Sequence, residues 1–241
     1  MISILIPVYN TEPLFLKQSL DSCLSQDIKE YEVVVVDNGS TNHSTIQILN
    51  QYSENNKINL YNCPQELGKN NISLALNLGL KKAKYDLVAR MDSDDIMTDN
   101  RLKLQLEFMN NNPEIDILGA QMNIFPNGHT TNHPKFITKD IALKSNWFIN
   151  HPTVVYKKEK IIKLGGYSDT PEYGAEDYSL WMSAIRTGLK IANMSEVVLF
   201  YRTHNTNLTK KRQKHQSYYE SIALEKHKLK ILIENEVITN R

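Results

Sequence analysis

The stretch Leu87-Val88-Ala89-Arg90-Met91-Asp92-Ser93-Asp94-Asp95 decides how the chain is read. A short apolar run ends abruptly in three carboxylates, Asp92, Asp94 and Asp95. Short apolar runs bounded by turn residues read as buried strands, and open α/β sheets bind ligands beyond the carboxyl ends of their strands. Acids packed this closely repel one another unless a cation or hydrogen-bond donors compensate. An Asp-x-Asp bend presents hard oxygen ligands that suit Mg²⁺ or Mn²⁺ carrying phosphate oxygens. The competing reading is a solvated acidic turn before the next helix, with Thr98 or Asp99 as its N-cap.

Upstream, the pattern alternates strand and helix. Ser3 to Val8 reads as a buried first strand with Pro7 near its end, where a ladder hydrogen bond can be lost. Thr11 caps a helix with Pro13 in its first turn and an apolar stripe of Leu16, Leu20, Cys23 and Leu24. Val33-Val34-Val35-Val36 is the clearest strand and runs into the turn-rich Asp37-Asn38-Gly39-Ser40-Thr41. A helix through Ile46, Leu49 and Tyr52, a strand at Ile58 to Tyr61 and a helix from Ile72 to Ala83 lead to the acidic stretch. This βαβαβαβ order predicts a parallel sheet covered on both faces, with Asp37 and the Asp92–Asp95 cluster along one edge. The loop Tyr9-Asn10-Thr11-Glu12 has neither a Gly-x-Gly-x-x-Gly fingerprint nor a P-loop lysine, so a bound nucleotide would rely on a metal for its phosphates.

Downstream, the pattern is less regular. A helix through Leu102, Leu106 and Met109 stops at Asn111-Asn112-Pro113, and a strand from Ile115 to Phe125 follows. His151 to Tyr156 reads as another strand. Glu176 and Asp177 open a helix striped by Trp181, Ala184 and Ile185, where acids complement the helix dipole whatever else they do. Strands around Ile191 and from Val197 to Tyr201 run into Arg202-Thr203-His204, and a long final helix puts Ile222, Leu229, Leu232 and Ile233 on one face.

The 241 residues suffice for one α/β domain with a small appendage. Net charge is +1, so no basic excess points to nucleic acid. The only two cysteines, Cys23 and Cys63, are not at metal spacing and suggest a reducing compartment. The first residues lack the features of a signal peptide and no apolar run is long enough to span a bilayer. The expectation is a cytoplasmic protein, soluble or peripherally membrane-associated.

In order along the chain, Ile6-Pro7-Val8-Tyr9-Asn10, Val36-Asp37-Asn38-Gly39-Ser40-Thr41, Gly68 with Asn77 and Gly79, Ala89 to Asp95 with Arg101, Gly165-Gly166-Tyr167, Glu176-Asp177-Tyr178-Ser179-Leu180-Trp181 and Tyr201-Arg202-Thr203-His204 make one pattern. Each is weak alone; together, over roughly residues 2 to 204, the chain resembles the family 2 glycosyltransferases, inverting enzymes of the GT-A fold with nucleotide-sugar donors. The resemblance implies an α/β, Rossmann-like, mostly parallel central sheet with helices on both faces, plus a C-terminal helical extension. Residues 1–207 would form the GT-A domain, with 1–100 binding the nucleotide-sugar and 101–207 the acceptor; 208–241 would be the extension.

By the same resemblance, Asp37 accepts a hydrogen bond from the base, a uracil N3–H or a guanine N1–H, its bland alternative being a turn aspartate. Pro7, Tyr9 and Glu12 line the base and ribose pocket. Asp94 ligates Mn²⁺ or Mg²⁺, Asp92 contacts ribose or a metal-bound water, Ser93 lies between them, and Asp95 faces the transferred sugar. His204 gives a third ligand, while Arg90 and Arg202 steady the acids or the diphosphate. The ion would neutralise the leaving diphosphate. Asp177 is expected to be the base and Glu176 to position the acceptor, with the roles open to exchange.

Trp181 reads first as core, and His151-Pro152 lies near the acceptor side. Acceptor specificity would lie in Pro126 to Asn150, which follows no readable pattern. Glu66 stands where relatives often have Asn. The donor expected is a UDP-linked hexose or N-acetylhexosamine, the acceptor a glycan, lipid or protein hydroxyl. Lys210, Lys211 and Arg212 would clamp the diphosphate or touch an anionic membrane, and the last helix could support a homodimer. The rivals are a nucleotidyltransferase, which needs a glycine-rich basic loop after the first strand, and a non-catalytic module that kept the fold.

Overall fold

The computed structural model describes residues 1–64, 71–168, 175–204 and 216–239. The first half forms as its pattern predicts. β1 (Ile2–Val8) is buried along its whole length, pairing in parallel with β2 (Tyr31–Asp37) on one side and β4 (Leu87–Arg90) on the other. β3 (Asn59–Asn62) extends the parallel run beyond β2. Successive side chains of a strand point to opposite faces, and two cores result. Ile4, Ile6, Val33 and Val35 meet α1 (Pro13–Leu24), α2 (His43–Glu54) and α4 (Arg101–Asn111). Leu5, Val34 and Val36 meet α3 (Ile72–Lys82). Gly79 lets α3 press on β1, because a Cβ there would lie 2.0 Å from Leu5 Cδ1.

Beyond β4 the sheet changes direction. The described strands run in the order β3-β2-β1-β4-β8-β6-β9-β5, with β7 (His129–Thr130) paired to β6 (Ile117–Phe125). β8 (Val155–Lys157) is antiparallel to both β4 and β6, while β6 and β9 (Ile191–Arg202) are parallel. β5 (Ile96–Met97) closes the edge antiparallel to β9. The sheet is therefore mostly parallel, as expected, with helices on both faces.

Several local expectations are corrected. His151–Thr153 is a 3-10 turn, not strand, because Thr153 N–H and Oγ–H both donate back to Asn150 O. The two strands expected at Ile191 and Val197 are one, β9, which stays paired with β6 through register shifts around Gln121. Thr11 does not cap α1; Glu12 occupies that position without a side-chain bond. Neither Thr98 nor Asp99 caps α4, whose N-cap is Asn100.

α5 (Lys139–Lys144), α6 (Lys158–Lys163) and α7 (Glu176–Arg186) cover the same face as α3. The final helix, α8 (Gln216–Thr239), shares that core: Ile222 and Leu229 are buried, and Arg186–Glu225 and Lys139–Glu236 ion pairs tie it to α7 and α5. Its predicted apolar face is thus occupied within the chain, leaving Leu224, Ile231 and Val237 on the outside for any second copy. Lys210, Lys211 and Arg212, with Glu66 and Gly68, lie outside the described residues. Among the described residues no helix is long and apolar enough to cross a membrane.

Candidate active site

A cleft of about 930 Å³ opens beyond the carboxyl ends of β1, β2 and β4 and runs to the start of α7. Its floor is the acidic stretch. Met91 N–H donates to Leu5 O and Arg90 N–H to Val154 O, which fixes the point where β4 turns into the bend. Arg101, wholly buried, holds the other side: Nη2 donates to Arg90 O at 2.8 Å, Nη1 to Pro152 O at 2.9 Å and Nε to Gln105 Oε1 at 2.9 Å. One side chain thereby joins the acid-bearing bend to the His151-Pro152 turn. Burial lowers the Arg101 pKa to about 10, against the pull of the nearby Asp95 and Asp92 charges.

The three carboxylates differ in what they face. Asp92 Oδ1 pairs with Arg90 Nη2 at 2.7 Å, and Asp94 Oδ2 lies 2.8 Å from His204 Nε2. Arg90 is 3% exposed, lines the cleft, and has no partner for Nε or Nη1 among the described residues. Asp95 is a correction: it is fully buried and does not line the cleft, because its Oδ1 accepts the Arg202 N–H at 2.8 Å. Arg202 steadies the bend rather than reaching into the cleft. Its Nε donates to Asp94 O, Nη2 donates to Gln18, and its guanidinium lies 4.2 Å from the Phe15 ring centroid and 4.8 Å from that of Phe125. Ser93 and Thr11 share a 2.6 Å hydrogen bond that ties the bend to the loop after β1.

Asp92, Asp94 and Asp95 each bring a carboxylate oxygen within 4.8 Å of the others. Burial, then the neighbouring acids, push Asp94 up and Asp95 well up from the ordinary carboxylate range. Asp95 Oδ2 has no hydrogen-bond partner among the described residues. A buried, unpartnered carboxylate oxygen beside two further acids fits a divalent cation, whose charge would remove the repulsion.

Pro7, Tyr9 and Glu12 line the cleft. Asp37 does not: its Oδ1 accepts the Ser40 N–H at 2.9 Å, the turn role that competed with base binding. The cleft wall is the next residue, Asn38, which is 3% exposed and whose Oδ1 has no partner among the described residues. Sequence alone assigns Asn38 no role of its own, because turn geometry decides which of the two neighbours faces the cleft.

At the far end, Glu176 and Asp177 both line the cleft from the first turn of α7. Asp177 is 37% exposed and Glu176 is buried, so Asp177 has the greater access. Trp181 is buried and packs its edge on His151, in keeping with a core residue. Aromatic residues to which sequence alone assigns no site role appear here, one of them in the unreadable middle segment. Trp147, half exposed, stands on the cleft wall against His133, and Tyr218 and Tyr219 of α8 line the same cleft.

The mixed sheet and this cleft define the GT-A glycosyltransferase class. The family model described as "Glycosyl transferase family 2" matches residues 3–169, and the chain belongs to that family. It is 31% identical to the O-antigen biosynthesis glycosyltransferase WbnJ of Escherichia coli, over 100% of this chain and 92% of that protein. It is 29% identical to the UDP-Gal:alpha-D-GlcNAc-diphosphoundecaprenol beta-1,3-galactosyltransferase of Escherichia coli, over 83% of this chain and 73% of that one. The fold matches S. aureus TarS in complex with UDP-GlcNAc with a TM-score of 0.74 at 24% identity, covering 93% of this chain and 66% of that one. The chain thus spans about two thirds of that TarS fragment. The protein is a glycosyltransferase that acts on nucleotide-sugar donors.

Proposed function

We propose that the chain is a metal-dependent, inverting hexosyl- or N-acetylhexosaminyltransferase that uses a UDP-sugar and transfers to a hydroxyl of a glycan or lipid-linked glycan. One observation carries the reading: a single cleft is lined by both the Asp92-Ser93-Asp94 bend and the Asp177 carboxylate. A displacement with inversion needs both in one site, because leaving group and attacking hydroxyl lie on opposite sides of the sugar.

The donor end uses this chain's own groups as follows. Asn38 offers its buried amide oxygen to a base N–H such as uracil N3–H, with Asp37 fixing the turn behind it. Pro7, Tyr9 and Glu12 wall the base and ribose. Arg90 directs two unpartnered N–H groups toward the diphosphate while its third nitrogen holds Asp92. Asp94, Asp92 and His204 would hold Mn²⁺ or Mg²⁺, with Asp95 supporting from behind; the bound ion supplies charge neutralisation for the leaving diphosphate.

At the acceptor end, Asp177 takes the proton of the attacking hydroxyl and Glu176 orients that hydroxyl. The position of Asp177 at a helix N-terminus favours the ionised form a base needs. Trp147 and Tyr219 provide exposed aromatic faces on the same wall, suited to the apolar face of an acceptor sugar. The Escherichia coli relative named for UDP-Gal and the TarS complex with UDP-GlcNAc favour uridine donors.

Incubation with UDP-glucose, UDP-galactose and their N-acetylhexosamine counterparts plus Mn²⁺, with UDP release as readout, tests the reading. Slow release from one donor, abolished by Asp177→Asn, is expected. Release from GDP-mannose alone would overturn the uridine assignment, and no release from any donor would overturn the catalytic one.

A further inference from the structure

We propose that His133 is the positioning residue for Trp147, and that the pair builds a subsite for one pyranose ring of the acceptor. The inference rests on the acceptor being a glycan or lipid-linked glycan. Trp147 is 50% exposed and lines the same cleft as Asp177. The His133 ring meets the indole in a T-shaped contact, with centroids 5.1 Å apart and planes at 72°. Edge-to-face pairs of this kind fix the angle between two rings as well as their distance.

Hydrogen bonds fix the His133 ring in turn. Asn150 is 1% exposed, and its Nδ2 donates to Ala120 O at 2.8 Å and to Thr131 Oγ1 at 2.9 Å. A backbone carbonyl only accepts, so the amide nitrogen must face Ala120 and Oδ1 must face His133. His133 Nε2, 2.9 Å from that oxygen, therefore carries the proton and donates it. Burial lowers the His133 pKa, against the pull of the Asn150 hydrogen bond, so the ring is neutral at pH 7. Its backbone N–H donates to Gln121 Oε1 at 2.9 Å, and Gln121 Nε2 donates to Met194 O at 3.0 Å.

The backbones beneath the two rings are clamped together. Asn193 on β9 is buried, and its Nδ2 donates to Pro134 O at 2.8 Å and to Phe148 O at 3.0 Å, the residues that follow His133 and Trp147. Gly119 makes room for this clamp, because a Cβ there would lie 2.3 Å from Asn193 Oδ1. Ser145 closes a turn on Trp147 itself: its Oγ–H donates to Trp147 O at 2.9 Å, and Trp147 N–H donates to Ser145 Oγ at 3.1 Å.

The exposed half of the indole adds nothing to the core, yet two buried amides are committed to holding it and its neighbour. A ring fixed before its ligand arrives loses little freedom on binding. The C–H bonds on one face of a pyranose pack on an indole, and Asn146, exposed on the same wall, offers its amide to hydroxyls at the sugar's rim.

Fluorescence of the full chain tests this without turnover. The protein has two tryptophans and Trp181 is buried, so acrylamide quenching that disappears in Trp147→Phe reports Trp147. The probes are methyl glycosides and disaccharides of glucose, galactose, N-acetylglucosamine and N-acetylgalactosamine, added with UDP and Mn²⁺. At least one should shield Trp147 from acrylamide. For that probe, His133→Leu should raise the half-saturating concentration at least tenfold with calorimetric UDP affinity unchanged. His133→Gln, whose side-chain amide can donate to Asn150 Oδ1, should recover part of that loss. No shielding by any probe, or a His133→Leu that binds the probe like wild type, overturns the proposal. Shielding by a UDP-sugar alone would put the donor's own sugar on the indole and overturn it as well. A chain that shields Trp147 but releases no UDP from any donor loses the catalytic reading and keeps the sugar subsite; release of UDP to water with no shielding does the reverse.

Discussion

His204 Nε2 lies 2.8 Å from Asp94 Oδ2, joining the end of β9 to the bend after β4 across more than a hundred residues of chain. Phe15 packs against the imidazole at 5.4 Å, so the histidine is held rather than swinging in solvent. Groups that ligate a metal or orient its ligands typically change metal affinity 10–100-fold when removed. His204→Ala should therefore weaken Mn²⁺ binding by about that factor, measured by calorimetry with UDP present, while the circular dichroism spectrum stays unchanged.

The buried acids make the metal-free protein pH-sensitive in an unusual direction. The folded state raises Asp95 well above its ordinary 3.8, through burial first and the charges of Asp94 and Asp92 next. Between those two values the folded state binds more protons than the unfolded one. Stability then falls as pH rises through that window, and the penalty is in full force above the raised value. In EDTA, Asp95→Asn should raise the melting temperature at pH 7 and flatten its decline with pH. Thermal scans from pH 4 to pH 8 check this; a lower melting temperature throughout would contradict it.

Arg101 donates to two backbone carbonyl oxygens, Arg90 O and Pro152 O. Arg101→Met keeps the volume but leaves Arg90 O and Pro152 O buried without those donors, at about 3 kcal/mol in total. For a chain of this size that corresponds to a fall in melting temperature of roughly 6–12 °C. A shift under about 2 °C would mean the bend and the 3-10 turn are held by other contacts.

Asp177→Asn preserves shape and removes the base. General-base groups contribute typically 10²–10⁴-fold, so kcat for transfer should fall by about 10³ while UDP affinity stays within twofold. Equal loss in Glu176→Gln with Asp177→Asn nearly normal would exchange their roles.

How much of this was legible depended on whether the signal was local. The parallel half was readable because a fully buried strand such as Ile2–Val8 must be apolar throughout, and its helices carry a regular stripe. The acid bend and the Glu176-Asp177 helix start were readable because their residue types are costly to place elsewhere. β8 was legible only in part: the strand expected over His151 to Tyr156 forms at Val155–Lys157, and three residues between β4 and β6 leave too little periodicity to set its bounds. Arg101 looks like any helix-surface cation until the fold shows what surrounds it. The opposite facing of Asp37 and Asn38, and of Asp94 and Asp95, depends on turn geometry that composition does not encode. Trp147 stands in a segment shaped by tertiary contacts alone, so its place on the cleft wall carried no sequence signal.

The central claim is that this cleft binds a uridine diphosphate through a metal held by the acid bend. Calorimetric titration of UDP and GDP into the protein, with Mn²⁺ and with EDTA, tests it most directly. The prediction is UDP binding that requires Mn²⁺, exceeds GDP at least tenfold, disappears in Asp94→Ala and weakens about tenfold in Asn38→Ala, the loss expected for one hydrogen bond. Equal UDP affinity in Mn²⁺ and EDTA, or none in either, would contradict it.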